Sequence, residues 1–132
     1  MTQLTRRFVL AAIATSPSFA FAQTKIPVAF HFFGAQNCPP CIAFKRANLP
    51  MVQASGDQNG FDVFEHLIER TEDIGQIGIY GVADPLLRQA SPMLQRIYPP
   101  IFMVTQGPDI LAAREGDWRS ILDATEAAAR SA

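Results

Sequence analysis

The two cysteines of this chain lie three positions apart, in the stretch Asn37-Cys38-Pro39-Pro40-Cys41. Because the 132 residues contain no other cysteine, neither can pair with a distant part of the chain, and their chemistry is local. An apolar run precedes the stretch and a helix pattern follows it. Backbone N–H groups and the helix dipole stabilise a thiolate at a helix N-terminus. We therefore expect Cys38 at the N-cap, Pro39 and Pro40 in the first turn, and Cys41 one turn in, facing Cys38.

A redox-active pair is the favoured interpretation of this spacing, and three others stay open. A structural disulfide across so short a ring would remove little entropy from the unfolded chain. Zinc normally takes four ligands, and His31 and His66 are the residues that could complete such a set. Copper(I) can be held by two thiolates alone. For the redox interpretation no cofactor is expected.

Residues 1–22 have the pattern of an export signal. Arg6 and Arg7 supply a basic start, residues 8–14 form a short apolar core, and Ala20-Phe21-Ala22 is a small-x-small cleavage site. The arginine pair also resembles a twin-arginine signal. A general secretory signal and an uncleaved anchor are the alternatives. We expect a signal peptide at 1–22, a mature domain at 23–132, and a periplasmic or secreted location, where disulfides persist.

Length and charge favour a single globular domain in residues 23–132. This length is sufficient for one hydrophobic core. Without Arg6 and Arg7, nine of the 11 basic residues remain with all 12 acidic ones, which gives a net charge of about −3. The charges are dispersed along the chain, and no basic cluster indicates nucleic-acid binding.

The sequence of the first half of the domain predicts a strand, a helix and a second strand in that order. Ile26 to Phe33 is a nearly continuous apolar run, typical of a central strand buried on both faces. His31 is its one polar side chain, expected to be hydrogen-bonded rather than catalytic. A helix is predicted from Pro40 to about Met51, interrupted or kinked at Pro50. Three further segments follow: a loop at 55–60, a strand at 61–65, and a loop with up to one helical turn at 67–83.

The sequence of the second half predicts a helix, two strands and a final helix. Asp84 and Pro85 open a helix that runs to Ile97, with a bend or break at Pro92. The tripeptide Tyr98-Pro99-Pro100 ends it immediately before an apolar strand. The remaining elements are a strand at 101–105, a turn at 106–109, a strand at 110–114, and a helix at 118–130 capped by Gly116-Asp117.

This order of elements resembles the thioredoxin fold over residues 26–130. Two marks carry the resemblance: the Cys-Pro-Pro-Cys motif at the start of the first helix, and an X-Pro before a strand whose hairpin turn carries a glycine eight residues later. Pro99 and Gly107 meet that spacing. The resemblance implies a minimal α/β thioredoxin-like fold, with a central mixed sheet of about four strands flanked by helices.

The resemblance also implies a substrate-contacting segment. In the family the proline is in the cis form, packs against the cysteine pair, and follows a residue whose backbone pairs with the substrate peptide. Carried over, Pro99 would be the cis-proline and Tyr98 the residue before it, with Pro100 the competing candidate by one position. An X-Pro bond is where the cis form is least costly. We expect these three residues to bind substrate.

Three positions depart from the family pattern. Asn37 stands where thioredoxins carry a tryptophan, and Arg46 stands where they carry a kink proline. Phe32 replaces a buried aspartate that assists proton transfer at the second cysteine. A general-purpose reductase is therefore less expected than a specialised one.

The resemblance implies an exported thiol-disulfide oxidoreductase acting on protein substrates that carry thiols or disulfides. Cys38 would be the exposed nucleophile and Cys41 the buried resolving thiol. Because neither Pro39 nor Pro40 can donate an N–H to a Cys38 thiolate, we expect its pKa to be less depressed than in the most oxidising members. This favours the reductase direction, with a membrane electron donor as partner. A copper carrier using the same pair, or a non-catalytic binding module, are the alternatives.

Overall fold

The computed structural model describes residues 26–71, 85–94 and 96–132. The predicted signal peptide, the predicted cap at Asp84 and most of the predicted loop at 67–83 lie outside the described residues. Within them, the elements in chain order are β1 (Val28–Ala35), α1 (Pro39–Ala47), α2 (Leu49–Asn59), β2 (Asp62–Ile68), α3 (Pro85–Leu94), β3 (Ile101–Gln106), β4 (Asp109–Glu115) and α4 (Trp118–Ser131). No helix among the described residues is long and apolar enough to cross a membrane.

The four strands form one mixed sheet in the order β2-β1-β3-β4. β1 pairs in parallel with β2 and antiparallel with β3, and β3 pairs antiparallel with β4. The apolar sequence of β1 suits its central position, since all of its residues are buried and a strand covered on both faces has no polar side. The predicted α/β architecture, a minimal thioredoxin-like fold with helices flanking the sheet, is confirmed.

Side chains on the two faces of the sheet form two hydrophobic clusters. Alternation along β1 separates Phe30 and Phe32 from His31 and Phe33. The first face packs against α1, α2 and α4, and the ring of Phe32 lies 4.7 Å from that of Phe44 in α1. The second face carries the cluster of Phe33, Ala90, Leu94, Ile101 and Met103, so α3 covers it. The cysteines belong to the first cluster.

The interruption predicted near Pro50 is present, and the stretch after the cysteines is two helices that meet at Asn48. Asn48 is both the C-cap of α1 and the N-cap of α2. Pro50 lies in the first turn of α2, where the missing N–H would have had no partner within the helix. The proline therefore lies in the first turn of the second helix and does not kink the first.

The predicted loop at 55–60 is wrong, because α2 continues to Asn59 and ends at Gly60 with a left-handed φ of 78°. Polar side chains in this stretch make tertiary and capping contacts. Ser55 Oγ donates to Glu126 Oε1 of α4 at 2.7 Å, and Asn59 Nδ2 donates to the Ser55 carbonyl at 3.0 Å. Residues that usually form turns are used here to hold a helix against its neighbour.

Gly56 allows α2 to approach the start of β2. It is buried, and a Cβ at this position would lie 2.7 Å from the carbonyl oxygen of Phe61. The glycine therefore serves close packing rather than chain flexibility.

The other elements differ from prediction mainly in length. β2 runs to Ile68, three residues beyond the predicted strand, and α3 ends at Leu94 rather than Ile97. Pro92 lies inside α3, which ends two residues later instead of breaking there. The predictions of β3, β4 and α4 are confirmed, and Asp117 caps α4 by accepting from the Ser120 N–H at 3.1 Å.

Candidate functional site

The cysteine pair is held at the end of β1, the most buried strand. The turn after Ala35 is closed by the Cys38 N–H, which donates to the Ala35 carbonyl at 3.2 Å. In the same turn the Gln36 N–H donates to the Ile68 carbonyl at 2.8 Å, which joins the turn to the end of β2. The buried strand on one side and the proline start of α1 on the other therefore fix the position of Cys38.

Cys38 and Cys41 form a disulfide, with their Cα atoms 5.2 Å apart. Cys38 is the N-cap of α1, and Pro39 and Pro40 occupy its first two positions. The Cys41 N–H donates to Cys38 Sγ at 3.3 Å. Since the prolines have no N–H, Cys41 is the first helical residue able to donate. The predicted N-cap, proline and second-cysteine positions are confirmed.

Both cysteines are buried in the disulfide form. Cys38 is 5% exposed and Cys41 is 1% exposed. The prediction of an exposed Cys38 is therefore wrong for this form, although Cys38 remains the more accessible of the two. The physical reason is the segment before β3, whose Pro99 carbonyl oxygen lies 3.7 Å from Cys38 Sγ.

The cis peptide bond lies between Pro99 and Pro100. The assignment of Pro99 as the cis-proline is wrong, and the competing candidate Pro100 is correct. Pro99, rather than Tyr98, is therefore the residue that precedes the cis-proline. The segment is anchored by the last residue of β4 and the residue after it: the Tyr98 N–H donates to Glu115 Oε1 at 3.2 Å, and the Gly116 N–H donates to the Pro100 carbonyl at 2.9 Å.

The three residues expected to bind substrate differ in their surroundings. Tyr98 is 73% exposed and is not among the residues that line the pocket beside the disulfide. Pro99 and Pro100 do line that pocket, which has a volume of about 450 Å³. The pocket is an open depression bordered by α1, the Pro99-Pro100 segment and the start of α4. Its lining residues are Pro40, Ala43, Phe44, Asn48, Pro99, Pro100, Phe102, Glu115, Gly116 and Trp118.

The pocket is largely aromatic and apolar. The ring of Phe44 lies 4.6 Å from that of Phe102 and 5.8 Å from that of Trp118. Glu115 is the one charged residue among those that line it. Sequence reasoning missed Glu115 and Trp118, because they reach this pocket only through the pairing of β3 with β4 and the packing of α4 against α1.

Cys41 lies in an apolar environment. Phe32, which stands where the thioredoxin pattern has an aspartate, is fully buried in the same cluster. A Cβ at Gly34 would lie 3.2 Å from Cys41 Cβ and 2.6 Å from Phe32 Cζ. Because β1 has glycine at this position, Cys41 packs directly against the strand.

Asn37 has a role that the sequence did not predict. Its Oδ1 accepts from both the N–H and the hydroxyl of Thr71, each at 2.9 Å. The residue before Cys38 is thereby joined to the chain that follows β2. Nothing in the local pattern around Asn37 indicates a partner 34 positions away.

The two histidines lie together but apart from the cysteines. His31 Nδ1 is 3.0 Å from His66 Nε2, and His31 Nε2 is 3.0 Å from Thr105 Oγ1. The expectation that His31 is hydrogen-bonded is confirmed. The zinc set of two cysteines and two histidines is not formed, and no group of three or more His, Cys, Asp or Glu among the described residues is placed to hold a metal ion.

A four-stranded mixed sheet with a disulfide-bonded Cys-x-x-Cys pair at the start of its first helix defines a thioredoxin-like α/β domain. The site of this domain fits a redox role. No protein-family model matches the chain, and a search of the curated proteins finds no match.

Proposed function

We propose that the protein is an exported thiol-disulfide oxidoreductase that exchanges the Cys38–Cys41 pair with protein substrates, acting as a reductase. One observation carries the proposal: the disulfide closes on a helix N-terminus, with the Cys41 N–H donating to Cys38 Sγ. A sulfur in that position can alternate between disulfide and thiolate, because an N–H donor and the helix dipole support the charged form.

The reaction proceeds by two thiol-disulfide exchanges. The Cys38 thiolate attacks one sulfur of a substrate disulfide, a Cys38–substrate disulfide forms, and the displaced substrate sulfur leaves as a thiolate that takes up a proton. The Cys41 thiol loses its proton and attacks Cys38 Sγ. This restores the internal disulfide and releases the second substrate thiol. Two electrons pass from the cysteine pair to the substrate, and the two substrate thiolates take up two protons, equal to the one lost by Cys41 and the one that Cys38 released to solvent when it ionised.

The direction follows from how few groups stabilise the Cys38 thiolate. Pro39 and Pro40 provide no N–H, so Cys41 is the nearest helical donor. The Pro99 carbonyl, 3.7 Å from the sulfur, can accept a hydrogen bond from the thiol but repels the thiolate. A pair whose thiolate is weakly stabilised favours the disulfide, and such a pair is a reductant. A membrane electron donor outside this chain would then return it to the dithiol form.

The test compares Cys38→Ser with Cys41→Ser in the reduction of a peptide disulfide. Cys38→Ser should abolish turnover. Cys41→Ser should also stop turnover, but it should accumulate a mixed disulfide with the substrate, visible by mass spectrometry and released by dithiothreitol. Ile42→Ser is the matched control, since Ile42 is exposed on α1 beside Cys41 and does not line the pocket. Identical behaviour of the two cysteine variants would contradict the assigned roles.

A further inference from the structure

The pocket beside Cys38 has a distinctive hydrogen-bonding character. Three of its lining residues, Pro40, Pro99 and Pro100, have no backbone N–H. The neighbouring N–H groups are already engaged: Cys41 donates to Cys38 Sγ, Tyr98 donates to Glu115, and Gly116 donates to the Pro100 carbonyl. Of the backbone groups named above, none has a free N–H, and the Pro99 carbonyl next to the sulfur is an acceptor. A substrate group that docks against this segment must supply the donor.

Glu115 gives the pocket a negative charge. It is exposed at the end of β4, and its Oε1 accepts from the Tyr98 N–H at 3.2 Å. Within the described residues its second carboxylate oxygen has no hydrogen bond or ion pair. Arg119, a basic residue close by, lies over the Trp118 ring with its Cζ 4.7 Å from the centroid, and it is not among the lining residues. The charge that a substrate meets in the pocket is therefore that of Glu115.

The apolar lining suits the stem of a long side chain. Trp118 is half-buried and provides aromatic surface above the buried rings of Phe44 and Phe102. The methylene groups of lysine or arginine can pack against it while the charged end stays near a carboxylate. Both side chains have hydrogen-bond donors and no acceptor. A backbone acceptor, a single carboxylate and aromatic surface together favour a cation on a long apolar stem.

We propose that this pocket selects protein substrates that carry an arginine or lysine beside the cysteine to be reduced, with Glu115 as the counterion. The inference rests on the proposed function and adds a substrate class to it. Glu115 sets specificity rather than reactivity, since it does not contact the sulfur atoms. The ion pair between Glu115 and the substrate cation would be partly exposed, so we expect substrates with the cation to react about two- to fivefold faster than uncharged ones. High salt should reduce this preference.

The test uses symmetric disulfides of short synthetic peptides that are identical except for the residue beside the cysteine, which is arginine, alanine or glutamate. The full chain, reduced beforehand, is mixed with each peptide, and the rate of peptide reduction is measured. The wild-type protein should prefer the arginine peptide to the alanine peptide by about two- to fivefold, and the glutamate peptide should react most slowly.

Glu115→Gln should remove most of this preference. The glutamine amide oxygen can still accept from the Tyr98 N–H, so the variant separates the charge of Glu115 from its anchoring of the segment before β3. Asp123→Asn is the matched control, because Asp123 is an exposed acid on α4 outside the pocket, and it should leave the preference unchanged.

Three results would overturn the inference. An equal preference in Glu115→Gln and wild type would show that Glu115 is not the counterion. Equal rates for the three peptides in the wild-type protein would show that the pocket does not select charge, while the redox function would stand. If the protein reduces neither the peptides nor an uncharged disulfide such as hydroxyethyl disulfide, the oxidoreductase function fails, and the selectivity fails with it.

Discussion

The carbonyl oxygen of Pro99 lies 3.7 Å from the sulfur of Cys38. The contact joins the segment before β3 to the start of α1. It places a hydrogen-bond acceptor next to the sulfur, and an acceptor does not stabilise a thiolate as a donor would. In the disulfide form this oxygen covers the sulfur. In the dithiol form it can accept from the Cys38 S–H, which favours the thiol.

The first prediction concerns the thiolate of Cys38. Replacing both Pro39 and Pro40 with alanine supplies two N–H groups at the first positions of α1, so the pKa of Cys38 should fall. A hydrogen bond to a charged group contributes about 1.5–3 kcal/mol, and the reduction potential should therefore rise by about 30–60 mV. Thiolate absorbance at 240 nm, followed against pH in the reduced protein, measures the first effect.

Pro50→Ala provides the control for this experiment, since Pro50 occupies the first turn of α2, away from the sulfur. It should leave the ionisation of Cys38 unchanged. A wild-type protein in which Cys38 is half ionised below about pH 5 would contradict the prediction, because only strongly stabilised thiolates ionise there.

Gly56→Ala should destabilise the protein even though alanine is the better helix former by about 1 kcal/mol. The added Cβ would meet the Phe61 carbonyl oxygen at 2.7 Å, and such overpacking costs about 1–3 kcal/mol. Urea denaturation measures the change in the free energy of unfolding. Gln58→Ala, at an exposed position of the same helix, should change it by no more than about 0.5 kcal/mol. A Gly56→Ala protein more stable than the wild type would show that α2 can move away from β2.

Asp117 should make stability depend on pH. The backbone N–H of Ser120, its main stabilising partner, lowers the pKa of this exposed carboxylate. A group with a lowered folded-state pKa stabilises the fold above its unfolded pKa, and this contribution is lost as pH falls through the folded pKa. Asp117→Ala should therefore lower the unfolding midpoint at neutral pH, and its difference from wild type should shrink in acid.

Asp117→Asn is the control for the capping effect, because asparagine keeps a side-chain oxygen for the Ser120 N–H. It should be less destabilising at neutral pH than Asp117→Ala. Urea midpoints at several pH values test this. A difference between Asp117→Ala and wild type that grows in acid would contradict a stabilising Asp117 carboxylate with a lowered pKa.

Thr105→Val should reduce stability without reducing turnover. The substitution keeps the shape of the side chain but removes the hydroxyl 3.0 Å from His31 Nε2, at a cost of about 1–3 kcal/mol for the affected buried group. Turnover should persist because His31 lies on the face of the sheet opposite the cysteines. Thr125→Val is the matched control for the loss of a buried threonine hydroxyl, since the Thr125 hydroxyl donates to the Ile121 carbonyl of its own helix and not to His31. Loss of turnover in a folded Thr105→Val protein would assign His31 a catalytic part.

Local features of the site were predictable from sequence, whereas its surroundings were not. An N-cap cysteine followed by two prolines depends on residues within one helical turn, and the structure confirms it. The cis bond was placed one residue too early because Tyr98-Pro99-Pro100 contains two X-Pro bonds that are locally equivalent. The sequence cannot distinguish them, and the contacts of this segment with Glu115 and Gly116 exist only once β4 has paired with β3.

The error at 55–60 has a similar cause. Ser55, Gly56 and Asn59 are typical of turns, but here they hold α2 against α4 and β2 through contacts that are distant in sequence. Local propensity is a weak guide where tertiary packing decides the conformation. The sheet itself was easier to predict, because a continuous apolar run such as β1 requires cover on both faces.

The reduction potential of the Cys38–Cys41 couple tests the central claim most directly. The purified protein is equilibrated in a dithiothreitol or glutathione redox series, free thiols are alkylated, and the oxidised fraction is determined by mass spectrometry. We predict a reversible two-electron couple near about −270 mV, the range of thioredoxin-type reductants. A value near about −120 mV would make the protein a disulfide donor and contradict the reductase assignment. The absence of any reversible couple would contradict the oxidoreductase function itself, and copper(I) binding by the reduced pair would then be tested.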